Sequence, residues 1–309
     1  MIRVGTVNID TSHPHAFADI FLAGERARYT AIYNDAFRTD DEVNAFITKY
    51  GLEKRYTSLD EMAGNVDIAF IQGCNWDRHL ELAAPFLKAG KPVFIDKPFV
   101  GSLEDCEKAL NLSKKGAVLL GSSAMRYTYE HRSILSVPEQ ERGQIVHVTA
   151  TVGVDEFNYA IHAVESILGF FRGTSAESVM FTGKCGLGGS ECCSYRISFE
   201  NGASGEYHIC TPAWQPSTLT VVTTKTTYAV KIDSSKVYEA LLGQVLDFME
   251  GKPNDLATVE ELCEATKIML AGKQSEKEGR TVRLDELSGE HFFDGAAFEK
   301  YYEAQQRKG

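Results

Sequence analysis

Val93-Phe94-Ile95-Asp96-Lys97-Pro98 is the stretch from which the fold of this chain is read. A short apolar run that ends in two charged residues and a proline predicts a buried parallel strand reaching its C-terminal edge. In open α/β sheets, ligands and reactive groups collect at that edge. Lysine there can act as a charge, a donor or a proton carrier, and proline fixes the backbone that presents it. Taken alone, Lys97 reads equally as a surface residue capping a turn. The segments on either side weigh against that.

Working outward, strand-like and helix-like segments alternate. Strands are expected at Ile2–Val7, Tyr29–Tyr33, Val66–Gln72, Pro92–Ile95 and Ala117–Leu120. Helices are expected at Ala16–Gly24, Asp41–Tyr50 (stopped by Gly51), from the capping-type start Ser58-Leu59-Asp60-Glu61, and at Asp77–Ala89 and Ser102–Lys115. Such alternation implies right-handed crossovers and a Rossmann-type parallel sheet with helices on both faces. The pattern changes near Ser122–Arg126. Beyond it come a β-rich stretch at Gln144–Val154 and a helix at Tyr159–Phe171. Strand-like runs follow at Cys192–Phe199, Ser204–Cys210, Leu219–Thr224 and Tyr228–Ile232, then helices at Tyr238–Met249 and Val259–Gly272. Asn201-Gly202 is a tight hairpin signal. The expectation is an α/β chain of two domains: 1–122 with the parallel sheet, and 123–309, an α+β domain with a mainly antiparallel open sheet.

Composition narrows the function classes. The 309 residues suit two domains, and 43% hydrophobic with 24% charged content is ordinary for a globular protein. A net charge of -11 leaves no electrostatic footprint for nucleic acid or an anionic membrane. No apolar run approaches the roughly 20 residues that span a bilayer. Met1–Val7 is too short for a signal-peptide core, and seven scattered cysteines without a C-x-x-C pair predict neither a disulfide framework nor a zinc site. A reduced, cytoplasmic setting is expected. Asp10, His13 and His15 are chemically able to hold a metal, but the spacing reads first as a helix start that shapes a cleft, and no metal is expected.

Several segments together resemble the glucose–fructose oxidoreductase, inositol dehydrogenase and rhizopine-catabolism (Gfo/Idh/MocA) superfamily. They are Tyr56-Thr-Ser-Leu-Asp-Glu-Met, Val66-Asp-Ile-Ala-Phe-Ile, His79 at a helix start, and Ala89-Gly-Lys-Pro-Val-Phe-Ile-Asp-Lys-Pro. Ser123-Ala-Met-Arg126-Tyr127, Phe199-Glu-Asn-Gly202-Ala and Ser275-Glu-Lys-Glu-Gly-Arg-Thr-Val282 extend the resemblance through the second domain. It implies an NAD- or NADP-dependent dehydrogenase of a sugar, inositol or related polyol, with Lys97 and His162 catalytic. Asn158, Arg126, Tyr159 and Glu165 are the implied substrate contacts, with a domain-linking salt bridge equally open for Arg126. Asn8, Asp10, His13, Asn34, Asp35, Asn75 and His79, with Lys97, are the implied cofactor contacts. A homodimer or homotetramer built through the open sheet is expected.

The chain departs from this family where the cofactor belongs. Asn8, Asp10 and His13 stand where G-x-G-x-x-G would let a diphosphate approach the helix N-terminus. Asn and Asp tolerate positive φ, so the turn itself can survive. Asp35, beside Asn34, could bond a ribose, and the absence of a nearby strong basic cluster favours NAD slightly, although Arg38 leaves NADP open. Asn158 and Ala160 replace the family's Asp and Gly before His162. A protein that binds a sugar-like ligand without redox chemistry, or one that uses tightly held NAD for elimination or epimerisation, therefore stays an alternative. Trp214, His208 and the Phe298-Tyr301-Tyr302 cluster are expected to pack rather than to bind.

Overall fold

The computed structural model describes residues 1–121 and 123–307. Its first domain carries strands β1 (Ile2–Val7), β2 (Ala27–Tyr33), β3 (Lys54–Arg55), β4 (Ile68–Ile71), β5 (Val93–Ile95) and β6 (Leu119–Gly121). Between them lie helices α1 (His13–Ala23), α2 (Asp40–Tyr50), α3 (Leu59–Ala63), α4 (His79–Lys88) and α5 (Leu103–Lys114). All six strands are parallel, in the order β3-β2-β1-β4-β5-β6. The order reverses between β1 and β4, so the crevice beyond their C-terminal ends is the place where a doubly wound sheet binds ligands. Local chemistry sets the helix ends. Thr39 and Glu42 form a capping box, Gly51 ends α2 at φ 67°, and Ser58 caps α3 by accepting from Glu61 N.

Strands β4 and β5 are wholly buried because both faces of the sheet are covered. On one face Phe17 packs edge-on to Phe70 and Phe94, with ring centroids 6.1 and 6.3 Å apart. Tyr238 of the second domain joins this stack, 5.4 Å from Phe17, so α1 is fixed against both domains.

The second domain contains α6 (Tyr129–Ser136), α7 (Glu139–Arg142), β7 (Ile145–Gly153), α8 (Ala160–Leu168) and the long hairpin β8 (Ala176–Leu187) and β9 (Ser190–Phe199). After these come β10 (Ser204–Thr211), β11 (Thr218–Thr223), β12 (Thr227–Lys231), α9 (Val237–Met249), α10 (Val259–Glu278), β13 (Val282–Arg283) and α11 (Gly295–Gln306). Their sheet runs β12-β11-β7-β10-β9-β8-β13. It is mixed: β7 and β10 pair in parallel and the other pairs are antiparallel. The parallel pair escapes a reading of hairpin signals because α8 and the β8–β9 hairpin separate the two strands in sequence. Strand β8 escapes it too; Gly183 and Gly186 and its exposed outer half break the apolar alternation that marks a strand.

Candidate active site

Lys97 stands directly after β5, facing the second domain across the cleft, and the Lys97–Pro98 bond is cis. Its backbone N–H donates to Asp96 Oδ1 (2.8 Å), and its ammonium donates to Asn158 Oδ1 (2.9 Å) and Asn158 O (3.1 Å). Asn158 is oriented from behind: its amide donates to Asp155 Oδ2 (3.3 Å), while Asp155 Oδ1 accepts from Phe157 N and Tyr159 N. A carboxylate thus lies one residue removed from the lysine and turns the amide so that its oxygen faces the ammonium. The Tyr159 ring lies 5.4 Å from Lys97 Nζ and 5.7 Å from the His162 ring. Burial lowers the Lys97 pKa against the opposing pull of Asp96, Asp155 and Cys74. His162 lies well below the usual imidazole value, through burial first and the Lys97 and His13 charges second. Its Nδ1 is 2.6 Å from Ser123 Oγ. With Nδ1–H donating there, Nε2 is left as an acceptor.

His13, at the start of α1, reaches the same cleft. Its Nδ1 donates to Asp96 Oδ2 (2.6 Å), and its ring meets Tyr238 edge-on at 4.9 Å. Burial pushes the Asp96 carboxyl up, but His13, Lys97 and the Lys97 N–H together hold it below its ordinary value. The structure therefore groups Lys97, His162, Asn158, Tyr159 and the His13–Asp96 pair. Asp155, Ser123 and Tyr238 complete the group and lie outside the sequence expectation. Asp155 just ahead of a helix is the one legible signal among them, as a capping residue.

Three expected contacts lie elsewhere. Arg126 and Glu165 do not face the cleft; they form a buried ion pair, Nε to Oε2 at 2.5 Å, with Glu261 3.8 Å from Arg126 Nη1. His79 is a strut, its ring nitrogens 3.0 and 2.9 Å from the carbonyl oxygens of Phe99 and Gly73. His15 turns to α2, 3.1 Å from the Tyr50 hydroxyl, so Asp10, His13 and His15 point to three different partners.

At the cofactor edge the turn chemistry fits a dinucleotide, whereas the access does not. Asn8 takes φ 63°, the left-handed conformation that glycine would supply. A Cβ on Gly73 would come within 3.2 Å of Asn8 Nδ2 and 3.4 Å of Asp10 Oδ2, so only glycine leaves this floor open. Asp10 Oδ2 accepts from Cys74 N (3.0 Å), and its buried Oδ1 has no hydrogen-bond partner. Burial, helped by Glu299 and opposed by the Cys74 N–H, raises the Asp10 pKa to about 6. Asn34 accepts from Ile9 N, and Asp35 is held by Asn8 and, through both carboxylate oxygens, by Arg78 (3.1 and 2.7 Å). Asn75 donates to Glu299 of α11 (3.0 Å). Asn8, Asp10 and Asn75 are 2%, 0% and 8% exposed, so the crevice is closed over.

A parallel sheet with a ligand crevice at its reversal point, facing an α+β domain across a lysine–histidine cleft, defines a two-domain fold of Rossmann type. Residues 4–123 match the family described as "Oxidoreductase family, NAD-binding Rossmann fold". It is 30% identical to the 1,5-anhydro-D-fructose reductase of Ensifer adhaerens over 93 residues, 29% of this chain and 28% of that relative's length. A "probable dehydrogenase" from Thermotoga maritima superposes with a TM-score of 0.79 at 19% identity, covering 93% of this chain and all of the other. The scyllo-inositol dehydrogenase of Lactobacillus casei with bound NAD(H) and scyllo-inositol has a TM-score of 0.75 at 15% identity, covering 92% and 99%. Among the described residues no helix is long and apolar enough to cross a membrane.

Proposed function

We propose that the chain is an NAD(P)-dependent oxidoreductase that exchanges hydride with a hydroxyl-bearing carbon of a sugar, an inositol or a related polyol. The observation that carries this reading is the pairing, in one interdomain cleft, of a lysine with lowered pKa and a histidine kept neutral. When bound, the dinucleotide takes or supplies the hydride. Lys97 holds the substrate oxygen through a donor not used by Asn158, and His162 Nε2 accepts the hydroxyl proton. Asn158 and Tyr159 orient neighbouring hydroxyls, and the His13–Asp96 pair keeps negative charge beside Lys97. Asp35, just past β2, supports NAD over NADP as an acceptor for a ribose hydroxyl, with Arg78 paired to its charge. Assembly into a homodimer or homotetramer through the open sheet face, in a reducing cytoplasm, is part of the same reading.

The test follows NADH binding by fluorescence and NAD reduction by absorbance, against a panel of inositols, aldoses and anhydrosugars. Lys97→Met is expected to bind NADH within about twofold of wild type while turnover falls ~10²–10⁴-fold. Absence of any nicotinamide dinucleotide binding, or full turnover in both Lys97→Met and His162→Asn, refutes the reading.

A further inference from the structure

Helix α11 lies across the crevice where a doubly wound sheet would receive its ligand. Its side-chain contacts fall at residues 298, 299, 302 and 306, which with Gly295 lie on one helical face. Phe298 packs 5.0 Å from the Trp76 ring, and Tyr302 lies 6.3 Å from Phe37. Glu299 accepts from Asn75 at 3.0 Å and Gln306 from Arg38 at 3.3 Å. These partners belong to the segments that leave β2 and β4, and the charge of Glu299 also reaches Asp10, beyond β1. The helix therefore touches two of the connections from which the crevice is built and lies within electrostatic reach of the third.

The attachment is asymmetric. Immediately before α11 the chain is pinned: Phe293 N donates to Gly101 O (2.9 Å), Phe293 O accepts from Trp76 Nε1 (2.6 Å), and the Phe293 ring stacks on Phe157 at 3.9 Å. Past that anchor, Gly295 is the one buried residue of the helix. A Cβ there would lie 2.7 Å from Asn75 Oδ1 and 2.9 Å from Trp76 N and Asp77 N. A helix fixed at one end, with little buried area beyond it, costs little to swing away.

From this geometry we infer that α11 is a displaceable cover over the dinucleotide crevice, and that helix docking and dinucleotide binding exclude each other. The inference rests on the dinucleotide reading above and adds a self-inhibiting element to it. The docked helix removes the binding-competent fraction, so apparent affinity scales with how often the cover is open.

The full-length protein tests this with NADH as the probe. Hydrogen exchange of residues 295–306 in wild type is expected to speed up at saturating NADH. Gly295→Val, which cannot seat the helix, and Phe298→Ala, which only loosens it, are each expected to bind NADH about tenfold more tightly or better. If NADH binds wild type but residues 295–306 keep or gain protection, the cover is refuted and the dinucleotide reading stands. Equal or weaker binding by both variants refutes the cover in the same way. If neither wild type nor either variant binds NADH, the dinucleotide reading falls and the cover with it.

Discussion

Replacing Asp10 with asparagine tests whether the crevice is closed at rest. Asp10 is fully buried, one oxygen bonded to Cys74 N and the other without a partner. Its carboxyl titrates at about 6 in the fold against 3.8 ordinarily, through burial chiefly, with Glu299 adding and the Cys74 N–H and Arg38 subtracting. Between those values the folded chain keeps a proton that the unfolded chain has released, so stability falls as pH rises through the window. At ~1.36 kcal/mol per pH unit the full penalty is about 3 kcal/mol, reached by about pH 7.5, with roughly half already present at pH 5. The amide oxygen of an asparagine in this place would still accept from Cys74 N, and the amide carries no titrating charge. Urea unfolding of wild type and Asp10→Asn should therefore show the variant more stable, its advantage growing by about 1.4 kcal/mol between pH 5 and pH 7.5. Parallel stability curves over that range would show that Asp10 is solvated, and the closed crevice would be wrong.

Other substitutions probe the remaining structure. Glu165→Gln leaves the buried Arg126 guanidinium with only Glu261, 3.8 Å away, and should cost about 3 kcal/mol by urea unfolding; a loss below about 1 kcal/mol would mean that the pair is open to solvent. Thr258→Ala removes the capping box at the start of α10 and should lower stability by about 1 kcal/mol, leaving NADH affinity untouched. Asp155→Ala frees the Asn158 amide to rotate away from Lys97. Turnover should fall, with about 1 kcal/mol of stability lost with the cap, and Asp155→Asn should restore part of the turnover; equal turnover losses in both would assign Asp155 to the fold alone.

Much of the architecture is legible because its causes are local. The capping residue Ser58, the stop at Gly51 and the hairpin at Asn201-Gly202 act within a few residues of themselves. The placement of Lys97 is legible for the same reason: a buried strand must end somewhere, and its edge is where polar residues reappear. Asn8 also behaves as its chemistry suggests, taking the left-handed turn without being glycine. Arg126 and Glu165 are misplaced by a sequence reading because a charged residue near a cleft and one in a buried pair look alike until the partner is known. The parallel pairing of β7 with β10 has no local signal, since register there depends on α8 and an intervening hairpin.

The sequence by itself determined the alternation of strands and helices, the lysine at the sheet edge and the absence of glycines from the first turn. Tertiary structure alone decided that His13 meets Asp96, 83 residues away, and that Asp155 steers Asn158 toward Lys97. It also decided that a C-terminal helix lies over the crevice, Glu299 meeting Asn75 across 224 residues of chain. Periodicity and capping are written in neighbours along the chain. Contacts between distant segments are set by which surfaces are left to bury once those segments have folded.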